Sequence, residues 1–420
     1  MAAVAFVSPL PPAQTGIATY AASVLEALDE IGGSSEHAID PVSPFETDAG
    51  ACVRAADVGI YQIGNNVEFH GDIYALSVWH PGVVVLHDLA VDGLIWGLGE
   101  VRSPLAAPAR QEAIAATPRG ADREDPLGVP WCAQLVRRAG AVIVHSRFAK
   151  AYLEQVGCLT PILVAPHPSV ERDADIERAR VRGHELRSGV AGPDEVVVGV
   201  AGDLNATKGI PQLLEALAHL RSNVRLVLVG RRGGWDVDAA IRNAGVGKRV
   251  SVHGDVADAE FLAWLSAFDV LVNLRFPHRG ESSGSLVRAL QVGTPTVVSG
   301  VGTYLEVPDD VVVRIGSGRP DPEELAAVID RLAGDPEGRA AIGDRARAYA
   351  RDALAPTMTA AVYLEAIDDL VALRADPVRN AIARWASGLR AAGLGPRHAA
   401  RGLGVRYPEA LFELRGEEHG

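Results

Sequence analysis

The sequence predicts an α/β protein built from two doubly wound parallel sheets that face each other across a cleft. Three observations carry that expectation. Short Val-, Ile- and Leu-rich runs alternate with helical patterns along almost the whole chain, as βαβ units around a parallel sheet require. At 420 residues the chain exceeds one ordinary domain, and it fits two of about 180–200 residues. The alternation breaks once, at the polar stretch Glu171–Ser188 and the following Gly192-Pro193-Asp194.

In the first half, strands are expected near Val4–Val7, Ser35–Ile39, Val58–Gln62, Gly82–Leu86, Ala141–His145 and Pro161–Val164. The first helix opens at Gly16 and carries Ile17, Tyr20, Val24, Leu25 and Leu28 on one face. Arg102–Asp125, rich in Pro, Ala and charge, reads as a loop or a mobile helical excursion. In the second half, strands are expected near Val196–Val200, Val224–Val229, Val250–His253, Val270–Asn273, Thr296–Ser299 and Val311–Ile315. Helices over Pro322–Leu332 and Pro336–Leu354 close that series. The summary is two Rossmann-like domains, 1–185 and 190–356, joined near 168–194 and followed by a helical tail over 357–420.

Composition narrows the function. A formal charge of −13 argues against nucleic acid as a partner. Cys52, Cys132 and Cys158 stand far apart without CxxC spacing, against a disulfide framework or structural zinc. The first residues lack the basic start of a signal peptide, and no run of apolar residues reaches membrane-spanning length. The expected location is cytoplasmic.

Four polar loops sit at the expected carboxyl ends of strands. The first is Ser8-Pro-Leu-Pro-Pro-Ala-Gln-Thr-Gly16, where a glycine at a helix start lets a ligand approach the backbone. The second runs from Gly202 to Lys208 and Gly209. A lysine at a helix start opposes the helix dipole, and a bound phosphate reverses that argument; the plain alternative is an exposed lysine before a glycine. The third places Glu281, Ser282, Ser283 and Gly284 at a helix N-terminus, which suits either an anion or ordinary N-capping. The fourth is Val83–Leu86 ending in His87-Asp88, beside Gln62, Asn65 and Asn66 at the end of the preceding strand. That pair suits sugar hydroxyls, a proton, or a satisfied structural role. Jointly the loops point to a cleft site split between two domains.

These residues resemble the retaining glycosyltransferases of the GT-B fold, in particular glycosyltransferase family four, from Val4 to about Leu373. PLPPAQTGIATY is similar to that family's amino-terminal acceptor and phosphate loop, and AGDLNATKGIPQLLEAL to its Lys-Gly donor-diphosphate motif. FDVLVNLRFPHRGESSGSLVRALQVGTPTVVSGVGTYLEV is similar to its donor-sugar and nucleotide motif, and HSRFAK and HPSV to its end-of-domain pattern. Two positions depart. Asp203 stands where the family usually has arginine, and Arg288 where it has a second glutamate, as in a branch with a Gly-Glu-Ser-Ser-Gly variant.

The resemblance implies transfer of a hexosyl group from a UDP- or GDP-linked sugar, with retention, to a glycan, lipid-linked or small-molecule acceptor. It implies no metal and no cofactor beyond the nucleotide-sugar co-substrate. Lys208, Glu281 and His87 are the implied catalytic residues. Gly16, Gly202, Gly209, Ser282, Ser283 and Gly284 line the donor and its phosphates, with positive charge from Arg288, Arg275 or Arg279. Gln62, Asn65 and Asp88 face the acceptor, whose loops are expected at 43–50, 64–72 and 88–125. A nucleotide-sugar epimerase and a catalytically silent nucleotide-sugar or glycan binding protein are the alternatives.

The tail carries seven arginines against one acid between Leu370 and Arg406, and Val378, Ile382, Trp385 and Leu389 fall on one helical stripe. A helix packing back on the first domain accounts for this, as does peripheral membrane contact through 377–406.

Overall fold

The computed structural model describes residues 1–375 and residue 388. The tail stripe, and the membrane contact assigned to 377–406, lie outside the described residues.

Among the described residues the strands form two six-stranded, all-parallel sheets. The first comprises β1 (Ala3–Val7), β2 (Ala38–Val42), β3 (Val58–Ile63), β4 (Val83–Leu86), β5 (Ala141–Val144) and β6 (Ile162–Val164), in the order β2-β1-β3-β4-β5-β6. The second comprises β7 (Val196–Ala201), β8 (Val224–Val229), β9 (Val250–His253), β10 (Val270–Asn273), β11 (Thr296–Ser299) and β12 (Val313–Ile315), in the order β12-β11-β10-β7-β8-β9. Every residue of β3, β4, β5, β10 and β11 is buried. Helices therefore cover both faces, and each buried Val or Ile contributes about 1.5–3 kcal/mol.

The topology selects the site. Strand order reverses between β1 and β3 in the first sheet and between β7 and β10 in the second. Ligands of open α/β sheets bind outside the carboxyl ends of strands at such reversals. The loops there are those after Val7, Ile63, Ala201 and Asn273; the sequence reading names three of them, and gives the Ile63 loop as the neighbour of His87-Asp88, which follows β4.

Two expectations are corrected, and for Arg102–Asp125 the helical one of its two alternatives holds. The second strand runs over Ala38–Val42, and residues Gly33–Glu36 form a short helix instead. Pro41 reads as a strand breaker, but β2 pairs only with β1, and an edge strand tolerates a missing N–H. Within Arg102–Asp125 lies a regular helix, Ala106–Ala116, whose Ala106, Ala109 and Ala113 are buried. The polar stretch after Glu171 is the helix Asp173–Val190. Its Ala179 packs in one apolar cluster with Leu262, Trp264 and Leu265 of the second domain. A boundary at 185 thus runs through a helix of the second domain.

The chain then returns. In the helix Pro356–Ala375, Ala360, Tyr363, Ala366 and Ile367 pack with Phe6, Tyr20 and Val24 of the first domain. The two crossings lie side by side, with Ser169 N–H donating to the Leu354 carbonyl at 2.7 Å and the Thr359 hydroxyl to that of Pro166 at 2.7 Å. Among the described residues no helix is long and apolar enough to cross a membrane.

Candidate functional site

Lys208 closes the single-turn helix Ala206–Lys208, which Asn205 caps by accepting from the Thr207 N–H at 3.1 Å. Its side chain turns inward and is 6% exposed, which removes the surface-lysine reading. The ammonium donates to the carbonyl of Ala201, at the end of β7. Gly202 has φ of +95°, and a Cβ there would stand 2.6 Å from the Lys208 Nζ, so only glycine lets the lysine pass. No carboxylate pairs with Lys208 among the described residues. Burial, and then the nearby Arg275, hold its pKa well below the usual lysine value. A buried cation next to a second cation is unfavourable unless an anion joins them.

The loop after β10 supplies the rest of this wall. Arg275 Nε lies 3.0 Å from Glu281 Oε1, and the Arg279 N–H donates to Glu281 Oε2 at 2.6 Å. Ser283 caps the helix Gly284–Val292 by accepting from the Leu286 N–H at 3.3 Å, and Asn273 donates to the same hydroxyl at 3.1 Å. Ser282 is half-buried and its hydroxyl makes no hydrogen bond among the described residues. The Tyr304 hydroxyl is buried and makes no hydrogen bond of normal geometry among the described residues. Two cations, one carboxylate and a capped helix N-terminus leave net positive charge, which suits a diphosphate. Of the three arginines proposed for this role, Arg275 is the one whose charge acts on Lys208.

The facing wall belongs to the first domain. Gly16 begins the helix Gly16–Glu30, is exposed, and has open space where a Cβ would stand. His87 Nδ1 lies 3.2 Å from His145 Nε2, and its Nε2 lies 2.9 Å from the Gln62 amide. His145 Nδ1 faces the Ala165 carbonyl at 3.0 Å. Burial and neighbouring histidines hold His87 well below the usual histidine range, and His145 is lowered to about 3 for the same reasons. Neutral rings satisfy this chain in one way. His145 carries its proton on Nδ1, His87 donates from Nδ1, and the end of the Gln62 amide beside His87 must be the donor. The other end of that amide is 3.0 Å from the Tyr363 hydroxyl, itself 3.0 Å from that of Tyr20. His167 stacks edge-on against Tyr20, and its Nε2 lies 3.8 Å from where a Cβ on Gly284 would stand.

The two walls touch. Leu89 and Ala90 donate backbone N–H groups to the Arg279 carbonyl at 3.2 and 3.1 Å, and Arg279 forms a two-pronged pair with Asp92. Gly280, at φ of +70°, seats against Leu89 with 2.5 Å between the would-be Cβ and Leu89 Cδ1. Glu306 accepts from the N–H groups of Arg147 and Phe148 at 3.1 and 2.7 Å, capping the first-domain helix Arg147–Gln155. Between these contacts Asp88 accepts from the Asn65 N–H at 3.1 Å. Burial, and then the charge of Glu281, push Asp88 up to about 7.

Several assignments change. Arg288 points away from the cleft: it pairs with Glu171 at 2.6 Å and with Asp258 at 2.7 Å, and lies over the Phe261 ring. Gln62 is fully buried and spent on His87 and Tyr363. Asn65 braces Asp92 at 3.1 Å and the Leu94 N–H at 3.0 Å. Neither amide faces an acceptor, because each satisfies a buried neighbour. His87 likewise has both ring nitrogens committed. Gly209, at φ of +68°, caps the helix Ile210–Ala216 behind Lys208. Asp203 is tied to Arg231 at 2.9 and 3.2 Å. Sequence reasoning gave no role to Tyr304 and Glu306, which stood only inside the quoted donor motif, or to Asp92, which fell in an expected acceptor loop, while Tyr20, His145 and His167 stood only as a helix face and a family pattern.

Among the described residues, one group of side chains could share a metal ion: Glu36, His37 and Asp368. It lies at the start of β2, on the amino edge of the sheet and away from the cleft.

Residues 184–349 match the family model described as glycosyl transferases group 1. The chain is 32% identical over 164 residues to the D-inositol 3-phosphate glycosyltransferase of Xylanimonas cellulosilytica, covering 38% of this chain and 39% of that protein. It is 28% identical over 203 residues to the 2-deoxystreptamine glucosyltransferase of Streptomyces kanamyceticus, covering 47% and 52%. The alignments thus span at most about half the length of these relatives. In three dimensions it is similar to HepE from Anabaena, solved with UDP and glucose, at a TM-score of 0.61 and 18% identity, over 88% of this chain and 100% of that one. The chain has the GT-B fold, and its second half carries a glycosyltransferase group 1 domain.

Proposed function

We propose that the protein is a retaining glycosyltransferase of family four, in the branch with the Gly-Glu-Ser-Ser-Gly donor motif, acting in the cytoplasm. It moves a hexosyl group from a UDP- or GDP-linked sugar to a polyhydroxylated small-molecule acceptor. The observation that carries this reading is Lys208, buried beside Arg275 with no carboxylate of its own, at the topological switch point of the second sheet. A nucleotide diphosphate supplies the missing negative charge. Both curated relatives are named for cyclitol acceptors, which supports a small polyol here.

In this reading the bond from the anomeric carbon to the diphosphate oxygen breaks, and a bond to the acceptor oxygen forms on the same face. The acceptor proton passes to the leaving phosphate. Lys208, Arg275 and the N-terminus of Gly284–Val292 stabilise the departing charge in place of a metal ion. Glu281, oriented by Arg275 and the Arg279 N–H, holds sugar hydroxyls. His87 borders the sugar from the opposite wall.

Thermal unfolding with UDP, GDP and ADP, on wild type and Lys208→Ala, tests the donor site. A nucleotide at a hundred times its Kd adds about 2.7 kcal/mol to the folded state. A shift with UDP or GDP that disappears in Lys208→Ala is the expected result. No shift with any nucleotide overturns the reading.

A further inference from the structure

We propose that His145 is a positioning residue for glycosyl transfer: anchored on the Ala165 carbonyl, it fixes the tautomer of His87 and keeps that ring uncharged beside the sugar. The inference deepens the glycosyl-transfer reading of the same cleft and rests on it.

A backbone carbonyl only accepts, and that of Ala165 lies 3.0 Å from His145 Nδ1, so this nitrogen carries the proton. His145 Nε2 is then an acceptor, and His87 Nδ1, 3.2 Å away, donates to it. His87 Nε2 accepts in turn from the Gln62 amide at 2.9 Å. The far end of that amide accepts from the Tyr363 hydroxyl, whose oxygen lies 3.0 Å from the Tyr20 hydroxyl. One carbonyl at the end of the chain thus sets the direction of every bond in it. Each nitrogen of the two rings either donates or accepts, so neither ring offers a free lone pair to a further proton. Packing holds the rings in place as well. Tyr20 stands edge-on to His87 with centroids 4.6 Å apart, and the His145 ring lies at 4.9 Å.

The charge of His87 matters because glycosyl transfer builds positive charge on the sugar ring. A cationic imidazole in the opposite wall would oppose that charge, and strongly so in a site of low dielectric. The titratable groups around His87 are Tyr20, His70, Asp88, His145, His167 and Tyr363. Burial holds the three histidines low and the two tyrosines high, so all five are neutral near pH 7. Asp88, faced by Glu281 of the second domain, is the member that titrates near there.

Without His145 the chain reverses. In His145→Leu the Gln62 amide turns over, His87 donates to it from Nε2, and Nδ1 is left as a bare lone pair. An orphaned acceptor costs less than an orphaned N–H, so this order prevails and the ring becomes open to a proton. Glutamine at the same position restores the original order, since its amide donates to the Ala165 carbonyl and accepts from His87.

The test joins nitrogen NMR of the histidine rings to the pH dependence of nucleotide release from UDP-glucose and GDP-glucose, with water as acceptor. Wild type should carry the His87 proton on Nδ1, and a proton on Nε2 overturns the proposal before any variant is made. His145→Leu should move that proton to Nε2. Its kcat should fall about tenfold at about pH 6, with KM within about twofold, and recover towards about pH 8 as the added proton leaves. His145→Gln should restore the tautomer and most of kcat, while Asp88 titrates alike in all three proteins. An unmoved tautomer in His145→Leu, or a loss of kcat that is equal at both pH values, makes His145 a packing residue and overturns the proposal. Thermal shifts of wild type with UDP and GDP keep the readings apart. A shift beside an unmoved tautomer fells this proposal alone, whereas no shift and no nucleotide release fells glycosyl transfer and this proposal with it.

Discussion

Arg279 and Asp92 meet across the cleft as a fork, each guanidinium nitrogen 3.1 Å from its own carboxylate oxygen. Arg279 also anchors Glu281 through its N–H and receives Leu89 and Ala90 through its carbonyl. One residue therefore ties the Glu281 carboxylate to the first domain. The loop that holds Glu281 is shaped by contacts that exist only when the two domains stand together.

Asp92→Asn should consequently weaken catalysis more than stability. The pair is partly exposed, so its loss should lower unfolding free energy by about 1 kcal/mol or less. Misplacing Glu281 should cost about tenfold to a hundredfold in kcat/KM. Steady-state kinetics beside thermal unfolding checks this, and a parallel fall in both would assign the pair to stability alone.

Lys208→Met should raise the stability of the ligand-free protein while abolishing transfer. The ammonium is buried, feels the charge of Arg275 and has no carboxylate paired with it among the described residues, so an apolar side chain of similar length should gain about 1 kcal/mol. Loss of its charge at the leaving diphosphate should lower kcat about a hundredfold to a thousandfold. A destabilised variant would mean that Lys208 serves the fold.

Acid should unfold the protein through its buried histidines. His70 and His167 are lowered to about 4 and His145 to about 3, each first by burial, against an ordinary value of 6.5. Between about pH 6.5 and 4 the unfolded chain binds more protons at these groups, so stability falls with pH by about 1.4 kcal/mol per unit per group. Asp88, raised to about 7, works in the opposite direction, losing stability as pH rises towards 7, but it is one group against several. Unfolding midpoints between pH 7 and 5 should therefore drop steeply, and less steeply in His145→Gln. A flat profile would contradict the buried neutral network.

The parts of the fold that the sequence shows are those where burial dictates composition. β3, β4, β10 and β11 are buried on both faces, and their Val-rich runs stand out without further context. β2 was displaced because Pro41 is permitted only at a sheet edge, and edge position is a tertiary fact. The helix Asp173–Val190 reads as a linker because it buries little besides Ala179 and Gly183. The site divides in the same way. Loop identity follows from the strands, so Lys208 and Glu281 could be marked from spacing. Side-chain direction does not, so the chain of His87, His145 and Gln62 emerged only with the packing.

The separation of Arg275 from Arg288 tests that last point. Both were candidates for the diphosphate, yet Arg275 lies beside Lys208 and Glu281, whereas Arg288 holds Glu171 and Asp258 on the far side of its helix. Arg288→Met leaves the buried Glu171 without a partner, and removing one member of such a pair costs about 3 kcal/mol. Nucleotide affinity, measured well below the new unfolding midpoint, should stay unchanged. Arg275→Met should do the reverse in kind. It removes half of the positive charge facing the diphosphate, and a charge-assisted contact is worth about 1.5–3 kcal/mol, or about tenfold to a hundredfold in Kd. Titrating UDP and GDP into both variants therefore distinguishes an arginine that binds from one that braces. If Arg288→Met loses nucleotide affinity and Arg275→Met keeps it, the assignment of the donor site to the Lys208 side of the loop is wrong.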